Sequence, residues 1–99
     1  MEEDIRMKFY EIPEKCHRCG TEGQMAHHHL IPGTPGRRLS EEYGLIVPLC
    51  PKCHEFVHSG KPTAIKALKQ MRRFGQLKAM KEQGWTEDQF RSVFGKSYL

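Results

Sequence analysis

The chain has no long apolar run: no window approaches the roughly 18 consecutive apolar residues that a membrane-spanning helix requires, which argues against a spanning role. Its first residues, Met1-Glu2-Glu3-Asp4, are acidic where a secretory signal is basic and then apolar, which predicts a reducing cytoplasmic setting. Internal repeats of twenty or more residues and low-complexity tracts are missing too, which argues against a repeat architecture. Length is the other thing in short supply. Ninety-nine residues make one small domain, 1–99, whose core is marginal and calls for a metal or disulfide staple.

Acidic residues thin out toward the C-terminus. Through Ser59 there are seven Lys/Arg against nine Asp/Glu, a net −2, and from Gly60 onward nine against three, a net +6. A basic segment of this kind attracts polyanions, nucleic acid above all, although a solvated helix face has the same composition.

The spacing of apolar and breaker residues predicts an α+β domain. A short strand or extended arm is expected in the first dozen residues, and a strand over Gln24 to Ile31. Pro32-Gly33-Thr34-Pro35-Gly36 reads as a cluster of breakers opening a loop over residues 32–44. Leu45 to Leu49 is β-prone, and Pro51 sits where a first-turn proline would, opening a helix from Pro51 to His58. Thr63 can cap a second helix running to about Gln83. Its core stripe would be Ala64, Ala67, Leu68, Met71 and Phe74, with Lys66, Lys69 and Arg73 opposite and a bend or break at Gly75. Thr86 and Gln89 form a capping box, Trp85 and Phe90 are placed as a hydrophobic staple, and Gly95 suits a left-handed C-cap; these define a last helix from Glu87 to Phe94. The domain thus divides into a stapled core, residues 16–58, and a helical C-terminal extension, residues 63–95.

Cys16-x-x-Cys19 and Cys50-x-x-Cys53 are two knuckles separated by thirty residues. Each delivers two thiolates from one turn, and together they supply the tetrahedron that zinc demands at about 2.3 Å from each sulfur. One structural four-cysteine zinc is expected. A thioredoxin-type redox pair fits less well, because neither knuckle sits in a βαβ pattern.

Five of the six histidines fall in two groups, His27-His28-His29 on the first strand and His54 with His58 on the helix that follows Pro51. On a strand, neighbouring side chains point to opposite faces, whereas positions i and i+4 of a helix share one face. Two helical histidines and one from the strand can therefore hold a second ion with open coordination positions. Another strand histidine, turned away but close by, can activate water, having an ordinary pKa near working pH.

Cys16-x-x-Cys19, then His28-His29-Leu30-Ile31-Pro32-Gly33, then a loop, then Leu49-Cys50-x-x-Cys53-His54-x-x-x-His58 resembles the zinc-stapled HNH nuclease family, whose active site is a ββα-metal (His-Me finger) motif. The resemblance implies a treble-clef-like four-cysteine zinc site, with His28 as a ligand of the catalytic metal and His29 as the general base. His54 and His58 are the remaining ligands, a pair similar to that of the colicin DNase branch. The family's asparagine, a few residues before the Leu-Cys pair, has no counterpart, since Gly44 and Leu45 fall there; a loop backbone carbonyl is left to orient His29. Arg37-Arg38-x-Ser40-Glu41-x-Tyr43-Gly44-Leu45 and the tail from Phe90 to Leu99 also resemble small HNH-like proteins encoded in prophages, implying a bacterial or phage origin.

The activity implied is hydrolysis of DNA phosphodiester bonds with Mg²⁺ or Mn²⁺, although an all-histidine set prefers Zn²⁺ or Ni²⁺. Arg37 and Arg38 can clamp the phosphate, or can form a surface ion-pair cluster with Glu41 and Glu42. Lys66, Lys69, Arg72 and Arg73 can track the DNA backbone. Two other readings compete: a non-catalytic zinc module that binds nucleic acid or protein, and a two-zinc domain in which each cysteine pair is completed by histidines.

Overall fold

The computed structural model describes residues 14–99, so the arm expected in the first dozen residues lies outside the described residues. Two small antiparallel sheets and four helices make up an α+β domain. Their order is β1 (Glu14–Lys15), β2 (Glu22–Gly23), β3 (Ala26–His29), α1 (Thr34–Glu42), β4 (Ile46–Leu49), α2 (Pro51–Val57), α3 (Pro62–Gln83) and α4 (Glu87–Phe94).

β1 and β2 flank the first cysteine turn, and β3 pairs with β4 in a register that sets His28 opposite Val47 and His29 opposite Ile46. Pro48 lies within β4 and cannot donate to a ladder, but its carbonyl accepts the His17 N–H at 2.8 Å, which stitches the first knuckle to the second sheet. Strand β3 is shorter than the run from Gln24 to Ile31. Leu30 continues the pairing through one N–H bond to the Leu45 carbonyl at 2.9 Å, and Leu30 and Ile31 then turn into the core, each 1% exposed.

The expected loop over residues 32–44 is largely a helix. Pro35 falls in the first turn of α1, where a missing N–H costs nothing, and Gly36 is packed against Ile31 so closely that a Cβ would lie 2.9 Å from the Ile31 carbonyl oxygen. A breaker cluster thus starts the helix and seats it. Ser40, fully buried, locks the arrangement by accepting the Ile31 N–H at 3.2 Å and lying 3.4 Å from the Ile31 carbonyl.

Helix α2 ends at Val57, with His58 as its C-cap, and Cys50 is its N-cap, accepting the Cys53 N–H on sulfur at 3.4 Å. Helix α3 begins at Pro62 behind an N-cap at Lys61, so Thr63 is not its cap. Nor does Gly75 break it. The helix is continuous to Gln83, and Gly75 instead allows close approach, since a Cβ there would lie 2.9 Å from the Leu30 Cβ. The buried face follows Ala64, Met71, Gly75, Gln76 and Ala79, which turns Phe74 out to 43% exposure and corrects the expected stripe.

Helix α4 spans Glu87–Phe94 as expected, with both halves of the Thr86–Gln89 capping box formed and Gly95 in the left-handed region. Trp85 packs edge-on to Tyr43 and Phe94, tying α4 to the end of α1. Phe90 is fully buried and stacks on Phe94 at 4.3 Å between ring centroids.

Candidate metal centres

Two separate groups of side chains come together in the fold. Cys16, Cys19, Cys50 and Cys53 form one, and His28, His54 and His58 the other; within each, the ligand atoms all lie within 4.8 Å of one another, close enough to hold a metal ion. The cysteines gather among themselves and the histidines among themselves, so the mixed sets of a two-zinc domain are not what the fold assembles.

The cysteine set fits a zinc ion. A tetrahedron with zinc–sulfur bonds of about 2.3 Å has S···S edges of about 3.8 Å, and Cys19 Sγ lies 3.7 Å from Cys50 Sγ. Backbone N–H groups of Cys19 and Cys53 point at Cys16 Sγ and Cys50 Sγ at 3.5 and 3.4 Å, as suits thiolates held in turns. Burial works against charge at Cys16, but the N–H groups of Cys50, Cys19 and Arg18 outweigh it and bring the thiol down to about 6. At Cys53 burial prevails and pushes the thiol up to about 12, against the pull of Arg18, whose Nη1 lies 3.6 Å from the sulfur. The Arg18 guanidinium also lies 4.3 Å from the centre of the Phe56 ring, and so sets a positive charge beside a cluster that becomes negative when its thiols ionise. Thr21 Oγ1 is 3.1 Å from Cys19 Sγ and draws that thiol below its usual range.

The histidine set is built from two elements. His28 projects inward from β3 and is 7% exposed, while His54 and His58 stand one turn apart at the end of α2. Ring centroids are separated by 5.5 Å for His28 and His58 and 4.9 Å for His54 and His58. Burial, reinforced by His58, His54, His29 and Arg72, lowers His28 to about 4, so it is a neutral imidazole at pH 7 and ready to coordinate. Three neutral nitrogen donors suit zinc, nickel or another borderline ion better than magnesium.

Strand alternation turns His29 away from His28. Its Nε2 lies 2.9 Å from Glu41 Oε2 on α1, so a carboxylate, and not a loop carbonyl, is what the fold sets against the ring. His27 meets Glu14 at 3.1 Å. All three strand histidines nonetheless border one cavity of about 280 Å³, together with His54, His58, Arg37 and Arg72. The described residues lining it include no carboxylate.

The other basic residues divide. Arg37 faces this cavity, whereas Arg38 is exposed and pairs with Glu42 at 3.6 Å, which leaves it outside the site. Arg72 also lines a second cavity of about 270 Å³, shared with Lys69 and Lys96, while Lys66 and Arg73 are exposed and border neither. Nothing at Glu41 marks it as the partner of His29 in sequence, because the contact spans twelve residues and depends on a helix where breakers predict a loop. No family model, curated protein or solved structure matches the chain.

Proposed function

We propose that the chain is a metal-dependent endonuclease of the HNH type that hydrolyses DNA phosphodiester bonds. The observation that carries this reading is the composition of one cavity: three histidines placed to hold an ion, two more, His27 and His29, beside them, and two arginines. A cation alone would be repelled by Arg37 and Arg72; a cation bound together with a phosphate would be welcomed by them. The chain order β3, β4, α2, with the metal-capable histidines on the first strand and the helix, supports a ββα-metal arrangement. The first cysteine pair in the turn between β1 and β2, and the second at the start of α2, support a treble-clef-like zinc staple.

His28, His54 and His58 would hold the catalytic ion, which when bound supplies Lewis-acid stabilisation of the phosphate and of the departing oxygen. Mg²⁺ or Mn²⁺ would serve in the cell, with Zn²⁺ or Ni²⁺ favoured by the donor set. His29 takes a proton from water as the water oxygen bonds to phosphorus and the bond to the 3′ oxygen breaks. The 3′ oxygen takes a proton from solvent, so the ends carry 5′-phosphate and 3′-hydroxyl groups. Arg37 and Arg72 bind the non-bridging oxygens, and Lys69 and Lys96 extend the positive lane along the strand through the cavity that shares Arg72. These are backbone contacts, so binding is salt-dependent and largely indifferent to sequence.

The test is conversion of supercoiled plasmid to open-circle or linear form with Mg²⁺, Mn²⁺ or Ni²⁺. Wild type cuts, and His29→Ala loses about 10²- to 10⁴-fold in rate, the usual contribution of a general base. Retarded but intact plasmid with every metal would favour a non-catalytic nucleic-acid-binding module, and unchanged cutting by His29→Ala would remove the base from its role.

A further inference from the structure

We propose that Glu41 is the positioning residue for His29: its carboxylate receives the Nε2 proton, fixes the ring and leaves Nδ1 as the nitrogen that accepts a proton from water. This rests on the nuclease reading above and adds to it a partner for the base that the sequence pattern does not supply.

Geometry at three points carries the inference. The first is the contact itself, with His29 Nε2 and Glu41 Oε2 2.9 Å apart. An imidazole has two ring nitrogens, and an acceptor held against one of them determines which is protonated and which is free. The second is the way α1 is moored. Ser40, the neighbour of Glu41, is fully buried and bonds to the N–H and faces the carbonyl of Ile31, two residues beyond His29, and its own carbonyl accepts the Leu45 N–H at 2.7 Å. Gly36 holds the first turn of the same helix against Ile31. The backbone carrying the carboxylate is therefore fixed to the backbone carrying the histidine by contacts that do not involve either side chain. The third is the neighbourhood: Arg38 is paired with Glu42, so the nearest arginine in sequence on α1 is engaged elsewhere and does not draw Glu41 off.

Exposure separates this role from a structural one. The Glu41 side chain is 66% exposed and that of His29 25%, and a pair so open to water contributes little to folding. Loss of the carboxylate should then register in the reaction and not in the thermal midpoint. Groups that orient a functional imidazole from behind commonly matter about 10- to 100-fold.

The experiment uses the full chain and compares wild type, Glu41→Ala, Glu41→Gln and His29→Ala in plasmid cleavage, each with its melting curve. A histidine-ring NMR spectrum of the zinc-loaded protein accompanies them. Glu41→Ala should lower kcat about 10- to 100-fold, with KM and melting unchanged, and should erase the preference of His29 for the Nε2–H tautomer, read from its ring nitrogen shifts. Glu41→Gln, which keeps an acceptor oxygen at the same reach, should recover most of both. Cleavage by Glu41→Ala at the wild-type rate would overturn the positioning role while leaving the nuclease reading intact. A Glu41→Gln protein as slow as Glu41→Ala would also overturn it, because charge and not the placed acceptor would then be what matters. If wild type itself does not cut, the nuclease reading falls and the catalytic role of Glu41 with it, whereas the ring nitrogen shifts still report whether the carboxylate sets the tautomer.

Discussion

His28 carries two demands at once, since it is buried in the hairpin and also aimed at His54 and His58. Burial first, and then the neighbouring histidines and Arg72, hold it at about 4, below the ordinary 6.5. In the unfolded chain the imidazole takes its proton near 6.5, while in the fold it resists until about 4. Unfolding therefore binds a proton in that interval, and the stability attributable to keeping His28 neutral is complete above pH 6.5 and drains away as pH falls toward 4. Urea unfolding of wild type and His28→Gln, both with the cysteine-held zinc retained and the exchangeable site emptied by mild chelation, checks this. The fall in stability between pH 7 and pH 5 should be steeper for wild type, and equal slopes would contradict the assigned cause. Arg37 and Arg38 make a second residue-scale point. As a dipeptide they are interchangeable, but on α1 successive residues diverge by about 100°, so one borders the cavity and the other meets Glu42.

At the level of elements, α1 is the part that relates the strand to its chemistry. Gly36→Ala adds a Cβ 2.9 Å from the Ile31 carbonyl oxygen, and backbone cannot move aside as a side-chain tip can. Overpacking of this kind costs about 1–3 kcal/mol, against a gain of about 1 kcal/mol from better helix propensity. The expected net result is a loss of about 1 kcal/mol by urea denaturation, with weakened cleavage because Glu41 moves relative to His29; a gain in stability would show that α1 is not seated on Ile31. This element was also the least legible in sequence. Pro35 and Gly36 read as breakers, yet first-turn proline and a close-packed glycine are what let the helix begin there and lie against Ile31. Helix α4 was the opposite case, for its capping box and Gly95 are local signals that act within a few residues. Helix α3 was legible in extent and in part of its buried face, since Ala64 and Met71 are buried and Leu68 packs on the core, but not at Phe74. Phe74 fits the apolar stripe by spacing, but the core takes Gly75 and Gln76 instead, because Leu30 needs the room beside a residue without Cβ and Gln76 Oε1 accepts the N–H of Tyr98. The grouping of the cysteines, and of His54 with His58, was readable because knuckle and i, i+4 spacings are local. The His29–Glu41 contact was not, because it joins two elements whose approach is decided by packing.

For the molecule as a whole, two metal-capable clusters divide the work. The cysteines gather from the turn after β1 and the start of α2, where a bound metal would tie the two together, and the histidines face a cavity. None of the helices among the described residues is long and apolar enough to cross a membrane. The net charge of +6 beyond Ser59 is spent selectively, since Arg72, Lys69 and Lys96 lie along the cavities while Lys66 and Arg73 do not. We propose that the histidine cluster is a catalytic metal centre distinct from a zinc staple at the cysteines. The most direct test measures metal content and plasmid cleavage on the same preparations of wild type and His28→Ala. Both should hold one tightly bound zinc and fold, and only wild type should take up a second, exchangeable ion and cut. Equal cutting by His28→Ala, with the same zinc content, would contradict it.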